Sequence, residues 1–313
     1  MSSASAVSTE PPMNPASDTV DRLKHASPNG LRSVAKRSVR LYAQATSARR
    51  VLPDFLVIGT KRGGTTSLFN ALLDHPQVSR MFPKAETLKS PHYFDLNAQR
   101  PPSWYRSFFP TARSLAKVSR QLGHPVVCGE ASPYYLWHPL AAERASAVVP
   151  KAKIIVLLRD PVDRAYSHYW DRILNHTEQL SFPDAVAAEE GRLAGERERL
   201  IDDPTYQSPA FEHSSYLGRG HYLDQLLAWE KHFPPEQMLV MASEPLYRDP
   251  STVFRRVLDF LGLEPQEFAY PHKNKTVGRE SMDPVLRQEL KDHFRPHNEA
   301  LFRHLGEDYG WNS

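Results

Sequence analysis

The sequence predicts an α/β fold, a central parallel sheet flanked by helices. Three observations carry that expectation. Short apolar runs bounded by turn residues alternate with longer segments whose apolar residues recur at helical spacing. Helix breakers such as Pro161, Phe233-Pro234-Pro235 and Asp249-Pro250 stand at the ends of the periodic segments. The run at 55–59 is a buried-strand run that turns through glycines into a helix, the start of a βαβ crossover.

Residues 1–30 are rich in Ser, Pro and Ala with scattered charges, too poor in apolar surface to offset the entropy of ordering, and are expected to be disordered. Leu31, Val34, Ala35, Leu41, Tyr42 and Ala45 then recur near helical spacing with Arg32, Lys36, Arg37 and Arg40 between them, which predicts a weak basic amphipathic helix. Residues 1–50 thus form a basic leader, read as solvated or as touching an anionic membrane surface through 31–50. Residues 51–313 form a single domain. Its strand candidates are 55–59, 126–128, 154–158 and 238–241. Its helix candidates are 66–74, 139–148, 161–175, 181–200, 219–232, 250–261 and 284–305. In sheets of this kind ligands gather at the carboxyl edge.

With 313 residues, 40% of them hydrophobic and 24% charged, the chain can bury a full core. Its single cysteine, Cys128, excludes an internal disulfide and a cysteine-based zinc cage. The longest apolar runs fall far short of the roughly 18 residues of a spanning helix. The net charge of +3 comes from the leader: residues 22–50 hold eight Lys/Arg and no acid, whereas 51–313 carry 31 bases against 33 acids. A global field for nucleic acid is therefore absent, and any anion site has to be built locally.

The most informative segment is Gly59-Thr60-Lys61-Arg62-Gly63-Gly64-Thr65-Thr66-Ser67. Its glycines let a ligand approach the backbone, and the N–H groups opening the helix near Thr65, Thr66 and Ser67 suit an anion, as in a P-loop-like nucleotide-binding fold. Against the pattern G-x-x-x-x-G-K-[ST], Gly59 and Gly64 fit, but Thr65 stands where the lysine belongs, and the cations Lys61 and Arg62 lie inside the loop. A second strand ends in Arg159, where a nucleoside triphosphatase would present an acid for magnesium. That favours a second anion and no metal. Ser167, two turns into the next helix, can lend its hydroxyl to the same group.

Together these two loops resemble the 5′-phosphosulfate and 3′-phosphate loops of sulfotransferases that use 3′-phosphoadenosine 5′-phosphosulfate, in the heparan-sulfate (N-/O-) branch. The similarity extends through Lys89-Ser90-Pro91-His92-Tyr93-Phe94-Asp95, Gly129-Glu130-Ala131-Ser132, Arg219-Gly220-His221-Tyr222 and Lys275-Thr276-Val277-Gly278-Arg279. The resemblance implies that Lys61, Arg62, Gly63, Gly64, Thr65, Thr66 and Ser67 hold the phosphosulfate and that Arg159 with Ser167 holds the 3′-phosphate. It also implies that Lys275, Gly278 and Arg279 close over the nucleotide, with Tyr216 or a neighbour over the adenine. The implied activity is metal-free sulfuryl transfer to a hydroxyl of a sugar, glycolipid or secondary metabolite. Relatives with a membrane anchor and a disulfide differ from this chain, and the expected character is that of a bacterial, cytoplasmic enzyme.

Two departures stand out. The lysine that precedes the glycines in the family is Arg62 here, a permanent cation but a poor proton donor. The glutamate that serves as base in the heparan-type enzymes aligns with Ser90, which leaves Glu86, His92 and Glu130 as candidates. Two other readings remain open at this stage, a P-loop kinase or nucleoside triphosphatase and a non-catalytic nucleotide-binding module.

Overall fold

The computed structural model describes residues 29–83, 88–266 and 280–313, with side chains from residue 36 onward in its first helix. Five parallel strands, β1 (Phe55–Gly59), β2 (Val78–Ser79), β3 (Val127–Ala131), β4 (Lys153–Leu158) and β5 (Met238–Ala242), lie in the order β2-β3-β1-β4-β5. Every residue of β1 is buried, as are five of the six in β4, which is why both read as continuous apolar runs. Because side chains alternate across a strand, Leu56, Ile58, Ile154, Val156 and Leu158 face one core layer and Phe55, Val57, Ile155 and Leu157 the other.

Helices cover both layers. On the first lie α5 (Ala141–Val148), α11 (Tyr222–Glu230) and the end of α14 (Pro284–Leu305), through Ala145, Trp229 and Leu301. On the second lie α2 (Thr65–Leu72) and α13 (Pro250–Leu261), through Leu68, Phe69 and Phe254. A third apolar cluster joins α6 (Pro161–Leu174), α7 (Phe182–Ala187) and the front of α14 around Val162, Phe182 and Phe294. The chain leaves β1 for one edge, returns to pair β3 beside β1, then crosses to β4 on the other side. The topological switch therefore falls at the carboxyl end of β1, where such sheets open a crevice.

The first helix, α1 (Asn29–Ala45), is attached to this body. Ala43 is buried, Arg40 Nη2 donates to Ser107 Oγ at 2.6 Å, and Arg50, 4% exposed, donates to the Phe109 carbonyl at 2.7 Å and covers the Phe82 ring. Residues 40–50 therefore pack as part of the fold. The disorder expected of residues 1–30 falls almost entirely outside the described residues. No helix among the described residues is long and apolar enough to cross a membrane.

The segment expected as one helix over 181–200 is three, α7, α8 (Glu189–Leu193) and α9 (Glu196–Asp202). The last break is Gly195, left-handed at φ 73°, which opens α9. In place of 219–232, a 3-10 turn over Gly218–Gly220 precedes α11. Further helices, α3 (Pro102–Arg106), α4 (Ala112–Leu122), α10 (Pro209–His213) and α12 (Pro245–Arg248), fill connections between the expected elements.

Candidate active site

At the carboxyl end of β1 the loop closes on itself, with Gly63 N donating to the Thr60 carbonyl at 2.9 Å and Thr60 N to the Leu157 carbonyl at 2.7 Å. Gly63 has no room for a side chain: a Cβ there would sit 2.7 Å from the Leu157 carbonyl oxygen. Arg62 at φ 73° and Gly64 at φ 85° both turn left-handed, and such turns direct successive N–H groups into a concavity. Gly64 opens α2, whose first turn has neither a side-chain cap nor an acid. Its first N–H groups are thus left for an anion.

Three cations flank this loop, one of them at the helix start itself. Lys89 Nζ donates to Thr65 Oγ1 at 3.1 Å and Thr66 Oγ1 at 2.9 Å, and burial pushes its ammonium down to about 8. Burial, together with the guanidinium groups of Arg219 and Arg172, pushes Lys61 down to about 7. Arg62 reaches away from the loop: its Nε donates to Ser167 Oγ at 3.0 Å and its Nη1 pairs with Asp171 at 3.1 Å. Arg159, at the end of β4, donates from Nη1 to the Arg62 carbonyl at 3.2 Å. Near Lys61, Nε of Arg172 and Nε and Nη1 of Arg219 are buried without a hydrogen-bond partner among the described residues.

Beside the loop, Ala131 N donates to the Lys89 carbonyl and docks the segment 88–95 onto the end of β3. Glu130 is fully buried there. Its Oε1 accepts from Tyr105 Oη at 2.6 Å and Tyr135 Oη at 3.2 Å, and its Oε2 from Ser90 Oγ at 2.7 Å. Burial pushes this carboxyl up to about 7 against the hydrogen bonds from Ser90 and Tyr105. The Ser90 hydroxyl in turn accepts from His92 N at 2.9 Å. His92 takes φ 51°, a left-handed conformation uncommon outside glycine, and its ring is 40% exposed. Nδ1 is held by the buried Asp95 carboxylate at 2.9 Å and by Ser132 Oγ at 3.2 Å. Burial alone would lower the imidazole; the hydrogen bond it donates to Asp95 and the charges of Asp95, Glu130 and Glu212 raise it above the ordinary histidine value.

A family model described as "Sulfotransferase domain" matches residues 52–304. The chain belongs to the sulfotransferase family. Heparan sulfate glucosamine 3-O-sulfotransferase 3B1 of Mus musculus is 33% identical over 286 residues, covering 83% of this chain and 65% of its own length. Bifunctional heparan sulfate N-deacetylase/N-sulfotransferase 3 of Homo sapiens is 30% identical over 282 residues, 81% of this chain and 30% of its own. The chain thus spans less than two thirds of the length of these curated relatives. The crystal structure of a sulfotransferase from Alicyclobacillus acidocaldarius is 29% identical, aligns with 84% of this chain and all of its own, and superposes with a TM-score of 0.62.

Set on this sulfotransferase frame, Lys61, Arg62, Gly63, Gly64, Thr65, Thr66, Ser67, Arg159 and Ser167 share one sheet edge. Two of the expected positions need correction. Tyr216 is fully buried, with its hydroxyl on Glu178 Oε2 at 2.9 Å and its ring among Val162, Phe182 and Phe294, so it has no face for an adenine. Glu130 is sealed beneath three hydroxyls and has no open edge for an acceptor, which removes it as a base. Glu86, Lys275, Gly278 and Arg279 lie outside the described residues. Lys89 and Asp95, not named as site residues from sequence, flank the Ser90–His92 segment and belong to the same similar run; their pairing with Thr65, Thr66 and His92 is a tertiary fact with no sequence signal of its own.

Proposed function

We propose that this protein transfers a sulfuryl group from 3′-phosphoadenosine 5′-phosphosulfate to an acceptor hydroxyl, with His92 as the base. The observation that carries this reading is the Asp95–His92 pair, a half-exposed imidazole locked at Nδ1 on the segment whose Lys89 reaches the first turn of the uncapped α2. Fixing Nδ1 fixes the tautomer and leaves Nε2 as the edge that takes a proton. The residues present fit the donor. The Thr65–Ser67 N–H groups, Lys61 and Lys89 would hold its 5′ end, Arg159 and Ser167 its 3′-phosphate. When bound, the donor supplies a sulfuryl group whose bond to the bridging phosphate oxygen is the one that breaks.

The chain's own residues then divide the work. His92 removes the acceptor proton, and the buried Asp95 carboxylate stabilises the imidazolium that forms. Lys89 and Lys61, both with lowered ammonium values, stabilise charge on the leaving oxygen and are able to give it a proton, which Arg62 is not. Arg62 instead ties the loop to α6 through Ser167 and Asp171. The Lys61, Arg172 and Arg219 group favours an acidic carbohydrate as acceptor, in keeping with relatives named for heparan sulfate; a glycolipid or secondary metabolite with a comparable anionic group is the variant of the same reading. A cytoplasmic location, with the exposed Lys36, Arg37, Leu41 and Tyr42 of α1 touching an anionic membrane, completes it.

The test is His92→Ala. Turnover on a heparosan-type or simple sugar acceptor falls by roughly 10²–10⁴-fold while affinity for 3′-phosphoadenosine 5′-phosphate is kept. Because the neutral ring is the active form and its pKa is raised, wild-type turnover climbs with pH through a value above that of free histidine. Asp95→Asn moves that acidic limb to lower pH. Near-normal turnover of His92→Ala overturns the assignment of the base.

A further inference from the structure

Midway along α14, His293 and His297 stand four residues apart and so on one face of the helix. Facing them is His221, the residue between the Gly218–Gly220 turn and α11. His221 Nε2 lies 3.3 Å from His293 Nε2, and the His221 and His297 rings stack at 4.0 Å. One nitrogen from each ring falls within 4.8 Å of the others, the one such trio of ligand side chains among the described residues. We propose that these three histidines bind a divalent transition metal, zinc above all, as a clamp between α14 and the turn that carries Arg219.

Geometry and chemistry both favour it. Two nitrogens at the usual zinc distance of about 2.05 Å and a tetrahedral angle stand about 3.3 Å apart, the separation found for His221 and His293. His293 and His297 are exposed, so rotation of their side chains brings the third nitrogen in and leaves the fourth position to water. His92, His124, His213 and His304 each lie against a carboxylate, as His304 does against Glu230 at 2.9 Å, but none of the trio meets a carboxylate among the described residues. Imidazole ligands suit zinc, copper(II) and nickel(II). The clamp has a mechanical consequence. Gly220 is pressed between Phe294 and Pro161, where a Cβ would lie 2.6 Å from the Phe294 ring, so fixing α14 to the turn also fixes the seat of α6.

The experiment uses the full chain after treatment with chelator, titrated with Zn²⁺ by calorimetry and with Co²⁺ by visible absorption. One equivalent binds saturably at micromolar or lower concentration, Co²⁺ gives the intense d–d bands of tetrahedral coordination, and Zn²⁺ raises Tm by several degrees. His293→Ala and His297→Ala, both at exposed positions, each weaken binding by at least about tenfold. The double variant loses the Tm rise and the spectrum. Absence of saturable binding overturns the proposal. So does binding that survives in the double variant, which would put the metal on other histidines.

Discussion

Glu130 and His92 are joined through the single hydroxyl of Ser90, yet their surroundings set them to different work. Glu130 has no solvent contact and is surrounded by hydroxyl donors, so it organises the site floor. Its raised value gives a signed prediction. A carboxyl with folded pKa about 7 and an ordinary value of 4.5 contributes stability that is present below 4.5 and lost as pH rises through 7. The loss is on the order of 3 kcal/mol at most. Glu130→Gln removes that titration, so its Tm deficit against wild type is largest near pH 5 and shrinks toward pH 8. A deficit that does not change with pH contradicts it.

In the proposed donor site, selectivity for the donor should rest on Arg159. It is half-buried, and among the described residues its side chain bonds from Nη1 to the Arg62 carbonyl. A charge-assisted bond to a 3′-phosphate contributes about 1.5–3 kcal/mol. The bisphosphate 3′-phosphoadenosine 5′-phosphate should therefore bind at least tenfold tighter than adenosine 5′-phosphate by calorimetry. Arg159→Ala erases that preference and leaves Tm nearly unchanged; equal affinities in wild type would remove the two-phosphate reading.

At the scale of elements, α6 is the arm that brings Ser167 and Asp171 to Arg62, and its start is fixed by one side chain. Asp160 caps it by accepting from Val162 N at 2.8 Å and Asp163 N at 3.2 Å, with Pro161 preset for the first helical position. Loss of such a cap costs about 1 kcal/mol. Asp160→Ala should lower Tm by a few degrees and weaken 3′-phosphoadenosine 5′-phosphate binding several-fold, and Asp160→Asn, which keeps an acceptor, should restore both. These boundaries are legible in the sequence for the same reason. Asp249-Pro250 with Gly262, and Asp283-Pro284 with Gly306, frame α13 and α14 at the residues read from the chain. By contrast β3 runs on through Gly129, Glu130 and Ala131, residues with little strand preference, because pairing of Phe55 with Gly129 and of Leu56 with Glu130 overrides local propensity. The two-residue β2 has too little pattern to read at all. The anion loops could be read because glycine and cation spacing is local. The choice between Glu130 and His92 could not, since burial under Tyr105 and Tyr135 is a property of the assembled core.

At the scale of the molecule, β1 is the centre of the sheet, and the residues proposed to hold the donor gather about its carboxyl end from β1, β4 and the segment docked on β3. The N-terminal region is tied to this body at the edge beyond β3, through contacts among Arg40, Ala43 and Arg50 on one side and Phe82, Ser107 and Phe109 on the other. That splits the basic leader into two parts with different roles. Residues up to 35 precede every contact described, whereas 40–50 supply a buried guanidinium with a 2.7 Å bond to a main-chain carbonyl and a stacked aromatic face. Removing such a group leaves the Phe109 carbonyl unpaired and exposes the Phe82 ring, at a cost on the order of 2–4 kcal/mol. A chain starting at residue 36 should therefore keep its Tm and its turnover on a soluble acceptor. A chain starting at residue 51 should lose several degrees of Tm and some activity through the 82–109 segment that leads into Tyr105 and Glu130. Binding to vesicles rich in anionic lipid, if it resides in the exposed face of α1, falls in the second chain and weakens with salt in wild type. Equal Tm for the two truncations would show that the Arg40 and Arg50 contacts contribute nothing to the fold.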